Sequence, residues 1–184
     1  MFDDERSKRI ILVAHCLLNQ NARIDRYAYY PGAMEETAQA LLDSGVGILQ
    51  MPCPELICLG LDRQGHGAME IGIREALGKE EGQAACREMA QRLAYQIKEY
   101  QRHGFEIVGV VGNDGSPACG VDETHYHEKG RGPGAGMFIE VLKEEFAKSD
   151  IQAKFIGVRD LEWDENVAKL EDLLNGSDRS WVSL

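Results

Sequence analysis

The sequence has few positive charges and no long apolar run, and both shortages exclude classes of protein. Its 184 residues include 20 Lys and Arg against 31 Asp and Glu, a net charge of −11. Because nucleic acids and acidic lipids attract positive surfaces, this balance disfavours both as partners. No apolar stretch approaches the roughly 20 residues that span a bilayer, and residues 1–9 are mostly charged, unlike a signal peptide. We expect a cytoplasmic protein that binds neither nucleic acid nor membrane.

Cysteine is also scarce, and its pattern does not suit a disulfide framework. The five cysteines are an odd number at uneven spacings, without a C-x-x-C pair. A cytoplasmic protein keeps such thiols reduced. Packing, metal ligation and thiol chemistry remain as roles, and the position of each cysteine in the fold decides between them.

Short apolar runs alternate with amphipathic stretches, and this alternation predicts an α/β fold. Four runs have the length and continuity of buried strands, at residues 10–14, 46–51, 107–112 and 155–158. The stretches between them carry apolar residues at helical spacing. We predict a Rossmann-like open, mainly parallel sheet of about four strands with helices on both faces. Since no linker or repeat divides the chain, we expect a single α/β domain over residues 1–184.

Three cysteines are predicted to follow strands, and this shared position indicates a site. Cys16 follows the first strand, Cys53 follows the second, and Cys119 lies in a predicted loop, residues 113–133, after the third. In open α/β sheets, ligands bind at the carboxyl ends of the strands. Thiolates select iron–sulfur clusters, zinc or cuprous ions. The other two cysteines are expected to pack, Cys86 inside a long helix and Cys58 in an apolar stretch.

The residues around these three cysteines resemble a known family. Three segments are similar, in order, to the signatures of the 2-thiouracil desulfurase family: Cys16-Leu17-Leu18, Cys53-Pro54-Glu55 and Ser116-Pro117-Ala118-Cys119-Gly120. Two later segments are similar to its closing segments: Pro133-Gly134-Ala135-Gly136 and Val158-Arg159-Asp160-Leu161. The sequence departs from the family at Asn19, where glycine is usual, and after Leu59, where the usual prolines are absent.

The resemblance implies an enzyme that removes sulfur from a small thiocarbonyl compound as sulfide, without net electron transfer. It implies a [4Fe-4S] cluster held by Cys16, Cys53 and Cys119, whose iron without a protein ligand acts as a Lewis acid toward the substrate sulfur. Such chemistry needs a carboxylate for proton transfer and a hydroxyl that orients substrate or water. We predict Glu55, Ser116 and Asp114 for these tasks. The implied partner is a small thiolated compound, and the acidic net charge favours a free thiouracil-like base over intact tRNA.

Two other interpretations stay open. Three histidines, His15, His125 and His127, would suit a mixed Cys/His zinc site and hence a zinc hydrolase. Alternatively, the cysteines are structural and the domain is a non-catalytic module that binds a small anion or nucleotide. Residues 130–136 offer only a weak phosphate site beside a helix start, and we expect them to form a flexible loop. We expect three tyrosines to pack a loop onto the domain, with stacking on a planar base as the alternative: Tyr27, Tyr29 and Tyr30.

Overall fold

A four-stranded parallel sheet is the centre of the fold. The computed structural model describes residues 2–176. The sheet consists of β1 (Arg9–Val13), β2 (Gly47–Gln50), β3 (Glu106–Asn113) and β6 (Phe155–Val158), and a separate antiparallel hairpin consists of β4 (Glu123–Tyr126) and β5 (Gly130–Pro133). The helices are α1 (His15–Leu18), α2 (Glu35–Asp43), α3 (Pro54–Leu59), α4 (Ala68–Ile71), α5 (Ile73–Leu77), α6 (Glu80–Arg102), α7 (Met137–Lys148) and α8 (Trp163–Asn175). Two short 3₁₀ turns lie at Gln20–Ala22 and Gly65–Gly67.

The strand order of the sheet is β2-β1-β3-β6, with every pair parallel. The chain therefore moves from β1 to one side, then returns past it to β3 and β6. Right-handed crossovers put the helices of these two directions on opposite faces. Accordingly, α2 packs with α8, and α6 packs with α7. The predicted Rossmann-like architecture is confirmed, and the strand order reverses between β1 and β3, where such sheets bind ligands.

The hydrophobic core lies on both faces of β1 and β3. All five residues of β1 are buried, as a central strand covered by helices requires. On one face, α6 buries an apolar stripe that includes Met89, Leu93 and Ile97. Cys86 belongs to the same stripe and is fully buried, which confirms its predicted packing role. Even this longest helix keeps a charged outer face, and none of the described helices has the length and apolarity needed to cross a bilayer.

The structure differs from the sequence prediction in the segment after β3. Residues 113–133 were predicted as one loop and residues 130–136 as a flexible loop, yet the segment contains the β4–β5 hairpin. Both strands are only four residues long, and β5 has the sequence Gly-Arg-Gly-Pro, so neither shows the apolar alternation that indicates a strand. Cys16 follows the first strand as expected, and it lies on the one-turn helix α1.

Candidate active site

One pocket opens at the carboxyl edge of the sheet, between the segments that follow β1, β2, β3 and β6. Its volume is about 420 Å³. The six residues predicted from the sequence all line it: Cys16, Cys53, Glu55, Asp114, Ser116 and Cys119. They come from segments separated by up to about a hundred positions, and the parallel strand order brings them to one edge.

The three cysteines of this pocket, here called the pocket thiols, are held by different local structures. Cys53 caps the start of α3, where its Sγ accepts a hydrogen bond from the Leu56 N–H at 3.4 Å. Cys16 lies on α1, and its Sγ accepts a hydrogen bond from Asn113 Nδ2 at 3.6 Å. Cys119 lies in the turn after β3, where its N–H donates to Ser116 Oγ at 3.0 Å. Two of the sulfurs thus have N–H donors that favour a thiolate.

Burial opposes ionisation of all three pocket thiols. It raises the pKa of Cys16 to about 12, and it also raises the pKa of Cys53 and of Cys119. The charges of Cys16 and Cys53 raise the pKa of Cys119 further, because the three groups are close enough to repel when ionised. Three thiolates in this pocket would therefore need a cationic partner.

Three histidines also line the pocket, but they do not join the thiols in a ligand set. His125 and His127 stand two positions apart along β4 and its end, and both contribute to the pocket wall, as an extended segment predicts. His15 precedes Cys16, and burial lowers the pKa of its imidazole. Within residues 2–176, no three His, Cys, Asp or Glu side chains converge as ligands of one metal ion. The described residues thus contain no preformed mixed Cys/His zinc site.

Glu55 and Ser116 are directly connected in the pocket. Ser116 Oγ donates to Glu55 Oε1 at 3.2 Å, although the two residues are 61 positions apart. The same oxygen accepts hydrogen bonds from the N–H groups of Ala118 at 3.2 Å and Cys119 at 3.0 Å. With both lone pairs facing amides, the hydroxyl proton is directed to the carboxylate. Hydrogen bonds thus connect the Glu55 carboxylate, the Ser116 hydroxyl and the backbone N–H of Cys119.

Comparison with known proteins places this arrangement in a family. The sequence model of the 2-thiouracil desulfurase family matches residues 11–153, most of the chain. The chain belongs to the 2-thiouracil desulfurase family. The matched residues include the pocket thiols, Glu55, Asp114 and Ser116, whereas the closing segment at residues 158–161 lies beyond them. An uncharacterized protein of Methanocaldococcus jannaschii is 29% identical over 161 residues, which cover 88% of this chain and 89% of the relative. No solved structure matches the chain significantly.

Asp114 holds the turn of this desulfurase-family pocket in shape. Its Oδ1 accepts hydrogen bonds from the N–H groups of Val121 at 2.8 Å, Asp122 at 3.0 Å and Glu123 at 3.4 Å. The carboxyl group packs against Gly157 of β6, where a Cβ would lie 2.1 Å from it. The segment that carries Ser116 and Cys119 is therefore folded around this side chain.

Two arginines of this desulfurase-family pocket, Arg23 and Arg63, were not among the site residues expected from the sequence. Arg63 is 1% exposed and forms an ion pair with Glu55, with Nε 3.1 Å from Oε2. Arg23 and Asp160 form a bidentate ion pair, with Nη1–Oδ1 and Nη2–Oδ2 distances of 3.0 and 2.9 Å, that links the segments after β1 and β6. Arg23 also lowers the pKa of Cys16 against the larger effect of burial. Lone arginines in polar segments usually lie in solvent, and only the folded chain shows that these two do not.

The three tyrosines of the first loop separate into two roles. Tyr30 packs against the core, and its hydroxyl accepts a hydrogen bond from Trp163 Nε1 at 2.8 Å. Tyr27 and Tyr29 line the pocket and are about half exposed. The predicted packing role therefore applies to Tyr30, whereas Tyr27 and Tyr29 form part of the pocket lining.

Proposed function

We propose that this protein is a desulfidase that removes sulfur from a small thiocarbonyl compound, thiouracil-like, as sulfide. We further propose that it does so with a [4Fe-4S] cluster bound by Cys16, Cys53 and Cys119. The observation that carries the proposal is the meeting of three thiols from three strand ends, one buried and two partly buried, with the Glu55–Ser116 pair in one pocket. The proposal also rests on membership of a family named for thiouracil desulfurase activity.

The donor set suits a cluster better than a single metal ion. Thiols on one tetrahedral zinc, with bonds of about 2.3 Å, must converge to within about 4 Å of one another. Among the residues that the structure describes, no three His, Cys, Asp or Glu side chains group as ligands of one metal ion. A cluster distributes its cysteines over several irons, so the sulfurs need to share a pocket but not a point. Its irons would also supply the positive charge that the repelling pocket thiols need, because metal binding and thiol deprotonation are coupled.

The bound cluster would supply an iron without a protein ligand, a Lewis acid that accepts the substrate sulfur. The chain supplies the proton transfers. In the overall reaction a water replaces sulfur: the carbon–sulfur bond breaks, a carbon–oxygen bond forms, and the sulfur leaves as hydrogen sulfide without net oxidation. We propose that Glu55 takes a proton from the water and that the Ser116 hydroxyl, which donates to Glu55 Oε1, orients this carboxylate for the transfer. Asp114 remains a candidate for the same task, although its described contacts hold the turn.

The ligand assignment can be tested by loading the cluster in matched cysteine variants. Anaerobic reconstitution with iron and sulfide should give a brown protein with broad absorbance near roughly 400 nm, as thiolate-bound clusters do. Alanine at all three pocket thiols should abolish iron and sulfide binding. The matched control replaces the two cysteines outside the pocket lining, Cys58 and Cys86, and should load like the wild type. Full loading of the triple variant would refute the assignment, and stoichiometric zinc in a colourless wild type would favour a hydrolase.

The catalytic assignment can be tested separately on the loaded protein. Sulfide release from thiouracils should fall by about 10²–10⁴ in Glu55→Gln and in Ser116→Ala, the range lost with a proton-transfer group. Iron content should stay unchanged in both variants, since neither residue is a proposed ligand. Tyr95→Ala is a suitable control, because Tyr95 is exposed on α6 away from the pocket. A loaded wild type that releases no sulfide from any thiocarbonyl compound would favour the binding-module interpretation.

A further inference from the structure

Arg63 is among the most completely buried large side chains of the described chain, and each arm of its guanidinium has an acceptor. Nε pairs with Glu55 Oε2 at 3.1 Å. Nη1 donates to the carbonyls of Gly60 and Leu61, both at 2.8 Å. Nη2 donates to the Ala22 carbonyl at 2.6 Å. A buried arginine is stable when its charge is paired and its N–H groups have acceptors, and here the charge is paired and four of the five N–H groups donate to named acceptors.

These contacts join the two segments that carry Cys16 and Cys53. Ala22 ends the 3₁₀ turn that follows α1, whereas Gly60 and Leu61 directly follow α3. Arg63 itself has a φ of 58°, a conformation that residues with side chains seldom adopt. Such backbone strain persists only where surrounding contacts fix it, and it occurs often at functional sites. The guanidinium is therefore held in place by contacts other than that with Glu55.

The ion pair fixes the orientation of the Glu55 carboxylate. Arg63 holds Oε2, and this leaves Oε1 toward Ser116 Oγ at 3.2 Å. Ser116 in turn accepts the N–H of Cys119. Consecutive hydrogen bonds therefore connect Arg63 to Glu55, Glu55 to Ser116, and Ser116 to the backbone N–H of Cys119. Without the guanidinium, the largely buried Glu55 carboxylate has other rotamers available, and most of them lose the hydrogen bond from Ser116.

We propose that Arg63 is a positioning residue for the reaction: it holds the Glu55 carboxylate against Ser116 in the geometry that proton transfer needs. This inference rests on the proposed desulfidase function. In this role Arg63 acts through Glu55 rather than on the substrate, since all three guanidinium nitrogens donate to acceptors within the chain. Its effect on the reaction passes through Glu55, and this separates it from an arginine that merely stabilises the fold.

Arg9 provides a matched control for a purely structural role. It is 4% exposed, and its Nε pairs with Glu106 Oε2 at 3.0 Å. Its Nη2 donates to the Leu174 carbonyl at 2.7 Å. This partly buried pair lies at the start of β1 and β3, at the opposite edge of the sheet from the pocket. Arg63→Gln and Arg9→Gln should therefore both lower the Tm, but only Arg63→Gln should lower kcat.

The kinetic test combines the arginine variants with Glu55→Gln in a double-mutant cycle. Arg63→Gln should lower kcat by about 10–100-fold, the usual cost of losing an outer partner of a site residue, with KM changed less than about twofold because substrate contacts remain. In the Glu55→Gln background, the same change should cost less than about twofold, since the carboxylate it positions is already gone. Arg63→Lys keeps the positive charge but not the planar set of guanidinium donors, so its kcat should lie between those of Arg63→Gln and the wild type.

A crystal structure of Arg63→Gln supplies a readout that does not depend on activity. The Glu55 Oε1 to Ser116 Oγ distance should exceed 3.5 Å, whereas Arg9→Gln should retain a hydrogen bond. If Arg63→Gln does not fold, Arg63→Lys is taken through the same kinetics and crystallography, with a smaller expected effect. An unchanged Glu55 position, or an equal loss of kcat with and without Glu55, would overturn the inference while the desulfidase function stands. A wild type without desulfidase activity would overturn the function, and the crystallographic comparison would still test whether Arg63 orients Glu55.

Discussion

Replacing Asp114 by asparagine separates two roles for this carboxylate. Asparagine keeps the acceptor oxygen that receives the N–H groups of Val121 and Asp122, but it loses the negative charge and the ability to take a proton. If Asp114 holds the turn, the variant should be less stable and nearly as active as the wild type. If Asp114 transfers a proton in the reaction, the variant should be nearly inactive.

The expected loss of stability follows from the two short hydrogen bonds. Bonds to a charged group contribute about 1.5–3 kcal/mol and neutral ones about 0.5–1.5, so asparagine should cost about 2 kcal/mol over both bonds. In a chain of this size that shifts Tm by roughly 4–8 °C. Alanine removes the acceptor entirely and should cost about twice as much, because it leaves buried N–H groups without a partner. Asp122→Asn, an exposed change on the same turn, should change Tm by less than about 2 °C.

Thermal unfolding of the cluster-free protein measures the first effect, and sulfide release by the reconstituted protein measures the second. From the contacts of Asp114, we expect kcat of Asp114→Asn within about threefold of the wild type, because a proton-transfer group would cost at least about 100-fold. A fall in kcat of that size with an unchanged Tm would refute the reasoning and assign Asp114 to the reaction.

Two further predictions concern the pocket wall and the thiols outside the pocket. Gly115 has a φ of 85°, and an added Cβ would lie 2.9 Å from Arg131 Nε. Gly115→Ala should therefore lower the free energy of unfolding by about 1–2 kcal/mol through left-handed backbone strain alone. The control is Gly32→Ala, whose Cβ would meet nothing within 4 Å and should leave the Tm unchanged; equal Tm values for both variants would contradict the strain. The hydrogen bond from Cys86 lowers the pKa of the Cys58 thiol and raises that of Cys86. Iodoacetamide should therefore modify Cys58 before the other thiols of the native cluster-free protein. Cys86→Ala should shift the pH dependence of Cys58 labelling to higher pH. Faster labelling of Cys16 or Cys119, or an unchanged pH dependence, would contradict this prediction.

The sequence alone could predict the sheet and the pocket thiols, because both depend on short-range patterns. Continuous apolar runs identify central strands, and parallel strands have a common carboxyl edge, so Cys16, Cys53 and Cys119 are expected together once the strands are known. The same reasoning fails for the hairpin, whose four-residue strands contain too few apolar positions to show alternation. The hairpin comes after a turn that folds around the Asp114 carboxylate, and an apolar pattern does not encode such contacts.

The contacts of Arg63 could not be predicted for a related reason. Two of its four acceptors are carbonyls close to it in sequence, but the others are Ala22 and Glu55, on two different segments. Which backbone carbonyl faces an arginine depends on the path of both segments to within a fraction of a turn. Residue type and spacing do not contain this information. A sequence motif can therefore identify Glu55, but not the group that orients it.

The balance of charged residues in the pocket lining differs from that of the whole chain. Against a net charge of −11, the pocket lining contains four arginines and four carboxylates. Three of these arginines form ion pairs with carboxylates of the lining: Arg23 with Asp160, Arg63 with Glu55 and Arg159 with Glu162. Paired charges at short range cancel beyond a few ångströms, so a small substrate meets little net field in the pocket.

A neutral thiocarbonyl compound should therefore bind with a KM that is nearly independent of salt. Raising the ionic strength from about 0.05 to 0.5 M shortens the screening length severalfold and weakens any long-range attraction of an ion. For a neutral substrate, we expect the KM to change less than about twofold over this range. The control substrate is the same compound with an added negative charge. Its KM should fall as salt screens its repulsion by the net negative charge of the protein. A strong salt dependence for the neutral compound would show that the ion pairs of the pocket open on binding, and that its charges take part in recognition.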